Sequence, residues 1–481
     1  MRIFEIILLI LSITSIFYFS IRRNTSNKKI ELFIIIGFLT IHFLFEGYRW
    51  QMIPIYFLLL IVTFYSYKEL LLLKGKWFLK TIKIIGLVFL LIIGFILPNI
   101  LPVFNLPKTT GNFKVGSKYI LLKTDREEII TDNPDDKREL MIKVWYPANI
   151  KNEEKEPYLN NGDRFGFAAK YGLPNSTFNY LNTVETNTYV NPKVAENKFP
   201  ILIFSHGSYS KASGYYAIIE EIVSHGYIVF NINHTYESTG TLFADGSIKL
   251  YNQEYDQKYI STQKMSELAW NGTQNYNNAK TEEEKLVASR EVLKNYIAAE
   301  ITRNWSRDFV SVLDALTNWN KNSFLANHLN LSKIGVFGHS QGGSAAGQAI
   351  LDDERISAGV NLDGVQWGEM IDSTLTKPFL NISSDWISPH PNFNIFAYRN
   401  GSKDIFYDAK IKNSGHASFM DIPLMFNIST LNEAGSINKD EAYKIINETV
   451  ISFFDNHLKN KQNDLLKLNE KYNALEIKIK K

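Results

Sequence analysis

Apolar residues are distributed unevenly along the chain, in long runs over the first quarter and in short runs over the rest. The long runs are Ile3–Ile21, Ile30–Phe45, Ile53–Leu73 and Ile84–Phe104. A helix that crosses the ~30 Å apolar core of a bilayer needs about 20 residues. The first and fourth runs reach that length, the second is shorter, and Lys68 and Glu69 interrupt the third. The pattern predicts a transmembrane region of about four helices over residues 1–105, although the second and third runs also fit a re-entrant or interfacial hairpin.

The basic residues between the long runs predict how this region is oriented. Residues 1–105 hold 11 Lys and Arg residues against 4 Asp and Glu residues, a net charge of +7. Most of the basic residues follow the first and third runs: Arg22, Arg23, Lys28, Lys29, Lys74, Lys76, Lys80 and Lys83. Because basic loops stay in the cytoplasm, we expect an integral plasma-membrane protein whose N-terminus and whose residues after 105 are extracytoplasmic. If only one of the two middle runs failed to cross, the predicted side would reverse.

After residue 105 the pattern changes to short apolar runs that alternate with amphipathic segments. The short runs are rich in β-branched and aromatic residues and predict buried strands at Leu140–Tyr146, Ile201–Phe204, Tyr227–Ile232, Ile334–Phe337, Ala358–Leu362, Phe379–Ile382 and Ile405–Ile411. Helices are predicted at Gly214–Ser224, Ile301–Trp319, Gly342–Leu351 and Asp440–Phe454. This alternation indicates an α/β fold with a mostly parallel sheet and helices on both faces. We expect one such domain over residues 106–481.

Two segments interrupt this alternation. Residues 236–300 are polar, with a helix predicted at Thr281–Ala299. We interpret them as an insertion over one edge of the sheet, either a lid or cap over the substrate site or an inert loop. The tail Lys459–Lys481 has apolar positions among many lysines and is predicted to form a terminal surface helix.

The sequence Gly338-His339-Ser340-Gln341-Gly342 lies between a predicted strand and a predicted helix rich in small residues. It fits the G-x-S-x-G pattern of a nucleophile elbow, a strained strand-to-helix turn that exposes a serine hydroxyl. We expect both outer glycines to be required because a Cβ there would collide with the neighbouring strand or helix. The chain contains no cysteine, which excludes a cysteine nucleophile, disulfide bonds and thiolate metal ligands. Ser340 is therefore the predicted nucleophile.

A serine nucleophile needs a histidine base and an acidic residue that orients the base, and in this kind of fold both follow the serine along the chain. Three of the nine histidines do so: His390, His416 and His457. We favour His416, which follows the last predicted strand, over His390, which lies between two prolines. Two residues qualify as the acid, Asp363 and Asp385, because each follows a predicted strand at the edge where α/β sheets place their sites. Spacing alone does not decide between them.

An oxyanion hole needs backbone N–H groups close to the nucleophile. The residue after the nucleophile supplies one, here Gln341, and the loop after an earlier strand supplies another. His206-Gly207-Ser208 follows the run Ile201–Phe204. The N–H of Ser208 is therefore the predicted second donor, and His206 is interpreted as structural.

Six stretches together carry a resemblance to a known family: Arg138–Ala148 (RELMIKVWYPA), Phe199–Gly207 (FPILIFSHG), Ile222–His234 (IVSHGYIVFNINH), Gly338–Gly343 (GHSQGG), Gly359–Gly364 (GVNLDG) and Ser414–Met425 (SGHASFMDIPLM). In this order the chain resembles the α/β-hydrolases of the platelet-activating-factor acetylhydrolase family, the plasma or type II kind, from residue 112 to about residue 456. The resemblance implies an α/β-hydrolase fold with Ser340 as nucleophile and His416 as base. It also implies Asp363, rather than Asp385, as the acid.

The resemblance further implies what the protein acts on. It implies a serine hydrolase that cleaves carboxylic esters through an acyl-enzyme, with short or medium acyl chains that include sn-2 esters of phospholipids. No cofactor and no metal are expected, and the N–H groups of Ser208 and Gln341 form the oxyanion hole. Ser208 departs from the apolar residue that the family has there, and the resemblance covers none of the first 105 residues. The expected partners are a small ester or lipid substrate and the membrane, with no nucleic acid, and the sequence does not indicate an oligomeric state.

Two alternatives remain open from the sequence. The same scaffold supports a serine peptidase or a dienelactone-type hydrolase. In a different class, the protein is a membrane sensor or binding protein whose hydrolase fold has lost its chemistry. The presence of Ser340, Asp363 and His416 argues against that second alternative.

Overall fold

A computed structural model describes residues 1–21, 28–68, 70–385, 391–401, 405–428 and 432–479. Four residues discussed above lie outside these ranges: Arg22, Arg23, Glu69 and His390. The chain divides into two compact units. The helical unit comprises Met1–Asn105, Thr177–Val184 and Leu424–Leu431, and the sheet unit comprises Leu106–Ser176, Glu185–Pro423 and Asn432–Lys481.

Four apolar helices make up most of the helical unit: α1 (Ile3–Ile21), α2 (Lys28–Phe45), α3 (Ile53–Tyr67) and α4 (Trp77–Ile100). Among the described residues, three helical segments are long and apolar enough to cross a membrane: Ile3–Ser20, Trp50–Tyr67 and Trp77–Ile100. The apolar part of α2, Ile30–Phe45, is shorter. The helices thus form where the long apolar runs lie, and their crossing of a membrane stays a prediction.

Charged side chains meet at one end of the helical unit. Arg49, which lies between α2 and α3, donates to Glu5 Oε2 over 2.7 Å and to the carbonyl oxygen of Leu101 over 3.0 Å. The side chains of Arg49 and Glu5 are both buried. Because an unpaired charge in an apolar environment is costly, this ion pair stabilises the contact between the start of α1 and the end of α4.

The strands of the sheet unit are β1 (Lys114–Glu127), β2 (Lys137–Asn149), β3 (Lys155–Pro157), β4 (Glu185–Val190), β5 (Lys193–Val194), β6 (Phe199–Ser205), β7 (Ile228–Asn233), β8 (Gly240–Leu242), β9 (Ile248–Leu250), β10 (Leu329–His339), β11 (Ala358–Leu362), β12 (Phe379–Ser384), β13 (Phe406–Ile411) and β14 (Leu475–Ile479). The main sheet has the order β14-β13-β12-β11-β10-β6-β7-β2-β1-β4-β3, with β5 paired to β2. Strands β8 and β9 form a separate antiparallel hairpin.

Six neighbouring strands at the centre of the main sheet, from β13 to β7, run parallel. All seven residues of β6 are buried, as is typical of a parallel strand covered on both faces. The helices that follow α4 along the chain are α5 (Asn161–Lys170), α6 (Tyr216–Ser224), α7 (Gln253–Tyr255), α8 (Gln263–Asn278), α9 (Glu282–Asn295), α10 (Ile297–Asn322), α11 (Gln341–Asp352), α12 (Asn394–Ala397), α13 (Ile422–Met425), α14 (Lys439–Lys459) and α15 (Leu468–Lys471). Short 3₁₀ turns cover Trp50–Met52, Asn179–Thr183, Glu369–Asp372, His416–Phe419 and Leu465–Lys467, and a π-helical turn covers Asp256–Ile260.

Helices cover both faces of the sheet, as the side chains of β10 demonstrate. Ile334 and Val336 lie in the same buried core as residues of α10 and α11. Gly335 lies between them, and side chains alternate between the two faces of a strand. A Cβ on Gly335 would therefore be on the opposite face of the sheet, where it would contact Phe454 and Leu458 of α14. The predicted α/β architecture with a mostly parallel sheet is therefore confirmed.

The chain's tail differs from its prediction. Instead of a surface helix, Leu475–Ile479 forms the edge strand β14, which pairs antiparallel with β13. Apolar and charged residues alternate there, so that Leu475 and Ile477 share one face of the strand, and both are buried. The helix prediction was wrong because this two-residue period, rather than the abundance of lysine, determines the local structure.

The polar insertion at residues 236–300 is folded. It contains the β8–β9 hairpin, α7, the π-helical turn, α8, α9 and the first turn of α10. Thr281 begins α9 with a capping box, in which its side chain and that of Glu284 each accept the other residue's backbone N–H. Helices α8 and α9 pack closely, since a Cβ on Gly272 would lie 1.9 Å from Val292.

Candidate active site

Ser340 lies on the turn between β10 and α11 with backbone angles φ 55° and ψ −119°. A positive φ is costly for a residue other than glycine, and the neighbouring glycines make it possible. A Cβ on Gly338 would lie 2.2 Å from the backbone of Gly342, and a Cβ on Gly342 would lie 2.2 Å from the carbonyl oxygen of Ser205 in β6. The turn is therefore a strained elbow that only this glycine spacing allows.

Ser340 and Asp363 emerge from adjacent strands at the same edge of the sheet. The N–H of Ser340 donates to the carbonyl oxygen of Leu362 over 2.9 Å, and the N–H of Asp363 donates to that of Ile382 over 2.7 Å. These bonds extend the parallel pairing of β10, β11 and β12 by one step. The sheet therefore fixes the separation of the two residues through its register.

His416 and Asp363 are joined side chain to side chain. His416 Nδ1 lies 2.7 Å from Asp363 Oδ2, and the N–H of Ser384 donates to Asp363 Oδ1 over 2.6 Å. Burial by itself would raise the pKa of Asp363, but the hydrogen bond and charge of His416, together with the Ser384 N–H, hold that pKa below its ordinary value. Asp363 is therefore a carboxylate that can orient the imidazole of His416.

Two of the competing candidates, Asp385 and His457, have other partners. Asp385 forms an ion pair with Lys410 over 2.6 Å and accepts the N–H of Asn413 over 3.0 Å. His457 lies on α14, where its ring packs against Phe453. His390 lies outside the described residues.

The two residues predicted to supply N–H donors, Ser208 and Gln341, line the same cavity as Ser340. Gln341 is the first residue of α11, so its N–H has no acceptor within the helix, and its side chain donates to the carbonyl oxygen of Ala298 and to Thr302 Oγ1 over 2.9 and 2.7 Å. On the other side, a Cβ on Gly207 would lie 3.3 Å from the Cβ of Ser340. The loop that carries Ser208 therefore runs directly beside the elbow.

A cavity of about 580 Å³ opens onto these residues, and its lining includes Ser208, Ser340, Gln341, Asp363 and His416. Its apolar wall comes from Val292, Tyr296, Val365, Trp367 and Phe393. The rings of Tyr296 and Trp367 lie 5.3 Å apart. Because Ala269, Val292 and Tyr296 belong to the 236–300 insertion, that insertion forms part of the cavity wall.

Metal-binding side chains are not grouped in the part of the chain that the structure describes. No set of three or more His, Asp or Glu residues there is arranged to hold a metal ion. Two of the titratable groups that line the cavity, Asp363 and His416, are instead bonded to each other.

Comparisons with known proteins decide the family. The family model described as platelet-activating factor acetylhydrolase, isoform II, matches residues 101–477. The chain belongs to this family. It is accordingly a carboxylic ester hydrolase of the serine type, and the resemblance noted in the sequence is confirmed.

The individual relatives of this chain are distant from it in sequence. The platelet-activating factor acetylhydrolase of Cavia porcellus is 24% identical over 385 residues, which cover 74% of this chain and 78% of the relative. A probable 1-alkyl-2-acetylglycerophosphocholine esterase of Arthroderma benhamiae is 25% identical over 288 residues, 56% of this chain and 62% of the relative. A ferulic acid esterase structure from Streptomyces cinnamoneus superposes with a TM-score of 0.60 at 21% identity, covering 79% of this chain and all of that one. This structural likeness supports the α/β-hydrolase fold.

The apolar wall of the cavity was not predicted from the sequence. Val292, Tyr296, Trp367 and Phe393 come from separate segments of the chain, and no short motif connects them. The polar composition of the insertion also concealed the few apolar residues that it contributes. Only the folded arrangement brings these side chains together.

Proposed function

We propose that the protein is a membrane-anchored serine ester hydrolase in which Ser340 is the nucleophile, His416 the general base and Asp363 the residue that orients the base. One observation carries the proposal. The bonded pair of His416 and Asp363 and the strained elbow of Ser340 line the same cavity. That is the combination of nucleophile, base and orienting acid that acyl transfer requires.

The reaction proceeds in two steps. His416 takes the proton of Ser340 Oγ as the oxygen attacks the ester carbonyl, and the N–H groups of Ser208 and Gln341 stabilise the resulting oxyanion. His416 then protonates the leaving alcohol, which leaves an acyl group on Ser340. A water molecule, deprotonated by His416, attacks the acyl-enzyme, and His416 returns this proton to Ser340 Oγ as the bond to the acyl group breaks and the carboxylic acid leaves. Asp363 keeps the imidazole in the tautomer that presents Nε2 to the serine.

The substrate is an ester with a short or medium acyl chain, including sn-2 esters of phospholipids. The apolar wall of the cavity suits the acyl or alkyl part of such a molecule. The family supports the same class, since two relatives carry the names platelet-activating factor acetylhydrolase and probable 1-alkyl-2-acetylglycerophosphocholine esterase.

Turnover of graded substrates tests this proposal. The full-length protein in detergent should hydrolyse p-nitrophenyl esters with an optimum at short or medium acyl length and should leave peptide anilides intact. Preferential cleavage of the anilides would establish a peptidase instead, and a preference for dienelactone over both would establish that hydrolase. A folded wild-type protein that hydrolyses none of these and is not labelled by a fluorophosphonate would be a binding protein or sensor.

The helical unit is proposed to anchor the hydrolase in the plasma membrane, with the sheet unit on the extracytoplasmic side. The basic loops after α1 and α3 support this orientation, in which all four apolar helices cross the membrane. Because the chain lacks cysteine, single substitutions such as Lys258→Cys and Lys76→Cys give an unambiguous readout. A membrane-impermeant maleimide should label Lys258→Cys in intact cells and Lys76→Cys only after permeabilisation. The reverse pattern would overturn the proposed side.

A further inference from the structure

The buried hydroxyl of Tyr215 connects two parts of the candidate site. It accepts the N–H of Gly207 over 3.0 Å and lies 3.1 Å from His339 Nδ1. On the far side of the same ring, His339 Nε2 lies 3.1 Å from the carbonyl oxygen of His416. One tyrosine and one histidine therefore join the loop before Ser208 to the backbone of His416.

The loop His206-Gly207-Ser208 is also held by hydrogen bonds of the His206 ring. His206 Nδ1 lies 2.7 Å from the carbonyl oxygen of Gly207, and His206 Nε2 accepts the backbone N–H of His234 over 3.3 Å. Gly207 is thus held at both its N–H and its carbonyl oxygen. We call the series from His206 through Gly207, Tyr215 and His339 to the carbonyl of His416 the loop-to-base relay.

The proton positions in the relay follow from its partners. A carbonyl oxygen only accepts, so His206 carries its proton on Nδ1 and His339 carries its proton on Nε2. His339 Nδ1 is then an acceptor, and the Tyr215 hydroxyl donates to it. Burial, with the neighbouring His234 as a further cause, lowers the pKa of His206 to about 3, and burial followed by the charge of His416 lowers the pKa of His339 well below its ordinary value. Both rings are therefore neutral at neutral pH, as this arrangement requires.

The relay is buried and well packed. His206 and Tyr215 are completely inaccessible and His339 is 1% exposed, so water does not compete for their hydrogen bonds. The ring of Tyr215 packs on Phe204, and that of His339 stacks on Phe419. A buried network with all partners satisfied holds one geometry. None of these side chains is needed for bond making or breaking in the proposed reaction.

We propose that Tyr215 and His339 are positioning residues that keep the oxyanion donor of Ser208 and the base His416 in register across the nucleophile. This inference rests on the proposed roles of Ser208 and His416. The reason to expect a catalytic effect is geometric, since a misplacement of about 1 Å costs on the order of 10²-fold in rate. A removed oxyanion donor costs ~10²–10³-fold in kcat.

The test is Tyr215→Phe, which removes the shared hydroxyl and keeps the ring. The matched control is Tyr227→Phe, because the Tyr227 hydroxyl is also buried and donates to an acid, Asp455, over 2.8 Å, away from the relay. We expect Tyr215→Phe to lower kcat for a p-nitrophenyl ester by roughly 10- to 100-fold at unchanged KM. Tyr227→Phe should leave kcat and KM at wild-type values.

A pair of inhibitors separates positioning from a general loosening of the site. An alkyl trifluoromethyl ketone forms an adduct with the serine and places an oxyanion in the hole, whereas the corresponding carbinol only occupies the cavity. The affinity of Tyr215→Phe for the ketone should fall by the same factor as kcat, and its affinity for the carbinol should not change. Equal losses for both inhibitors, or behaviour identical to that of Tyr227→Phe, would overturn the inference.

A second variant tests the relay even if Tyr215→Phe fails to fold. His339→Asn keeps an acceptor near Tyr215 and loses the donor to the His416 carbonyl, and its effect on kcat should not add to that of Tyr215→Phe in the double variant. Full additivity would show two unrelated effects and refute the relay.

If the wild-type protein neither turns over esters nor binds the ketone more tightly than the carbinol, the proposed function fails. If the wild type does both and the variants match the control, only the relay fails.

Discussion

The sheet unit contains two serine–histidine–aspartate sets: Ser340, His416 and Asp363 form the cavity set, and Ser205, His234 and Asp308 form the buried set. In the buried set, Ser205 Oγ lies 2.8 Å from His234 Nε2, and His234 Nδ1 lies 2.7 Å from Asp308 Oδ2. The histidine–aspartate distance in the cavity set is also 2.7 Å. By residue type and by this distance, the two sets are alike.

Their surroundings differ. All three residues of the buried set are completely inaccessible, and its histidine stacks on Trp305 with ring centres 3.8 Å apart. Arg138 and Arg126 neutralise Asp308 over 2.7 and 2.6 Å. In the cavity set, the histidine side chain is 34% exposed and the serine has a strained positive φ beside two candidate N–H donors. Solvent access, backbone strain and oxyanion donors, rather than the three residue types, therefore distinguish a candidate active site from a structural network.

Replacing the serine of each set should produce the largest difference in kcat between the cavity set and the buried set. Ser340→Ala should lower kcat by ~10⁴-fold or more because it removes the nucleophile. Ser205→Ala should leave kcat nearly unchanged and cost about 1–3 kcal/mol of stability, since it leaves a buried ring nitrogen of His234 without its donor. Ester turnover and thermal unfolding of the two variants check this. Similar losses of kcat in both would contradict the contrast.

Replacing the two aspartates sharpens the contrast between orientation and stability. Asp363→Asn should lower kcat by ~10³–10⁴-fold while the protein remains folded, because the amide no longer enforces the required imidazole tautomer. Asp308→Asn should instead destabilise the fold by about 3–5 kcal/mol, since it removes the buried carboxylate that Arg138, Arg126 and His234 share. Asp363→Asn would count against the account if it retained wild-type kcat.

The pH dependence of stability isolates the histidine of the buried set. Burial lowers the pKa of His234 to about 4, although Asp308 acts in the opposite direction. Between pH 6.5 and that value the unfolded chain binds a proton that the folded protein does not bind, so this residue makes stability fall as the pH falls. From pH 6.5 to pH 5 the loss amounts to about 2 kcal/mol.

Comparing His234→Asn with the wild type tests this effect, because the other buried titratable groups contribute equally to the stability of both proteins. The amide keeps a donor towards Asp308 but does not titrate. The variant should be less stable than the wild type at pH 7, and the gap between them should shrink at pH 5. Unfolding curves at the two pH values measure the gap, and a gap that stays constant or widens would show that His234 is already protonated in the folded protein.

Two tryptophans give the smallest expected effect. Trp367 lines the cavity, whereas Trp305 lies against the buried set. Trp367→Ala should shift the kcat/KM ratio towards longer acyl chains by roughly tenfold, since one added methylene in an apolar pocket is worth about 1–3 kcal/mol. Trp305→Ala should reduce stability without changing the acyl preference. Graded p-nitrophenyl esters measure both, and an unchanged preference in Trp367→Ala would remove this side chain from the acyl site.

Local patterns made part of this site predictable from the sequence. The elbow around Ser340 is a contiguous motif, and the position of His416 after the last parallel strand narrowed the choice of base. The choice between Asp363 and Asp385 did not follow from spacing, because both end parallel strands, and depends on which side chain reaches the imidazole. The assignment of catalytic roles to these residues stays a prediction.

Other features depend on long-range packing and could not be predicted. Ser205 precedes His234 by 29 residues, and His234 precedes Asp308 by 74, so no motif joins them. The relay through Tyr215 and His339 likewise spans 124 residues between these two side chains. The overall α/β order was readable because the short apolar runs of the buried central strands alternate with amphipathic segments.

Covalent labelling shows directly which serine is the nucleophile. The full-length wild-type protein should be treated with a fluorophosphonate, digested and analysed by peptide mass spectrometry. We expect one adduct on the peptide that contains Ser340, none on the peptide that contains Ser205, and no adduct in Ser340→Ala. An adduct on another serine would contradict the assignment of Ser340 as the nucleophile. The absence of any adduct on folded wild-type protein would contradict it as well.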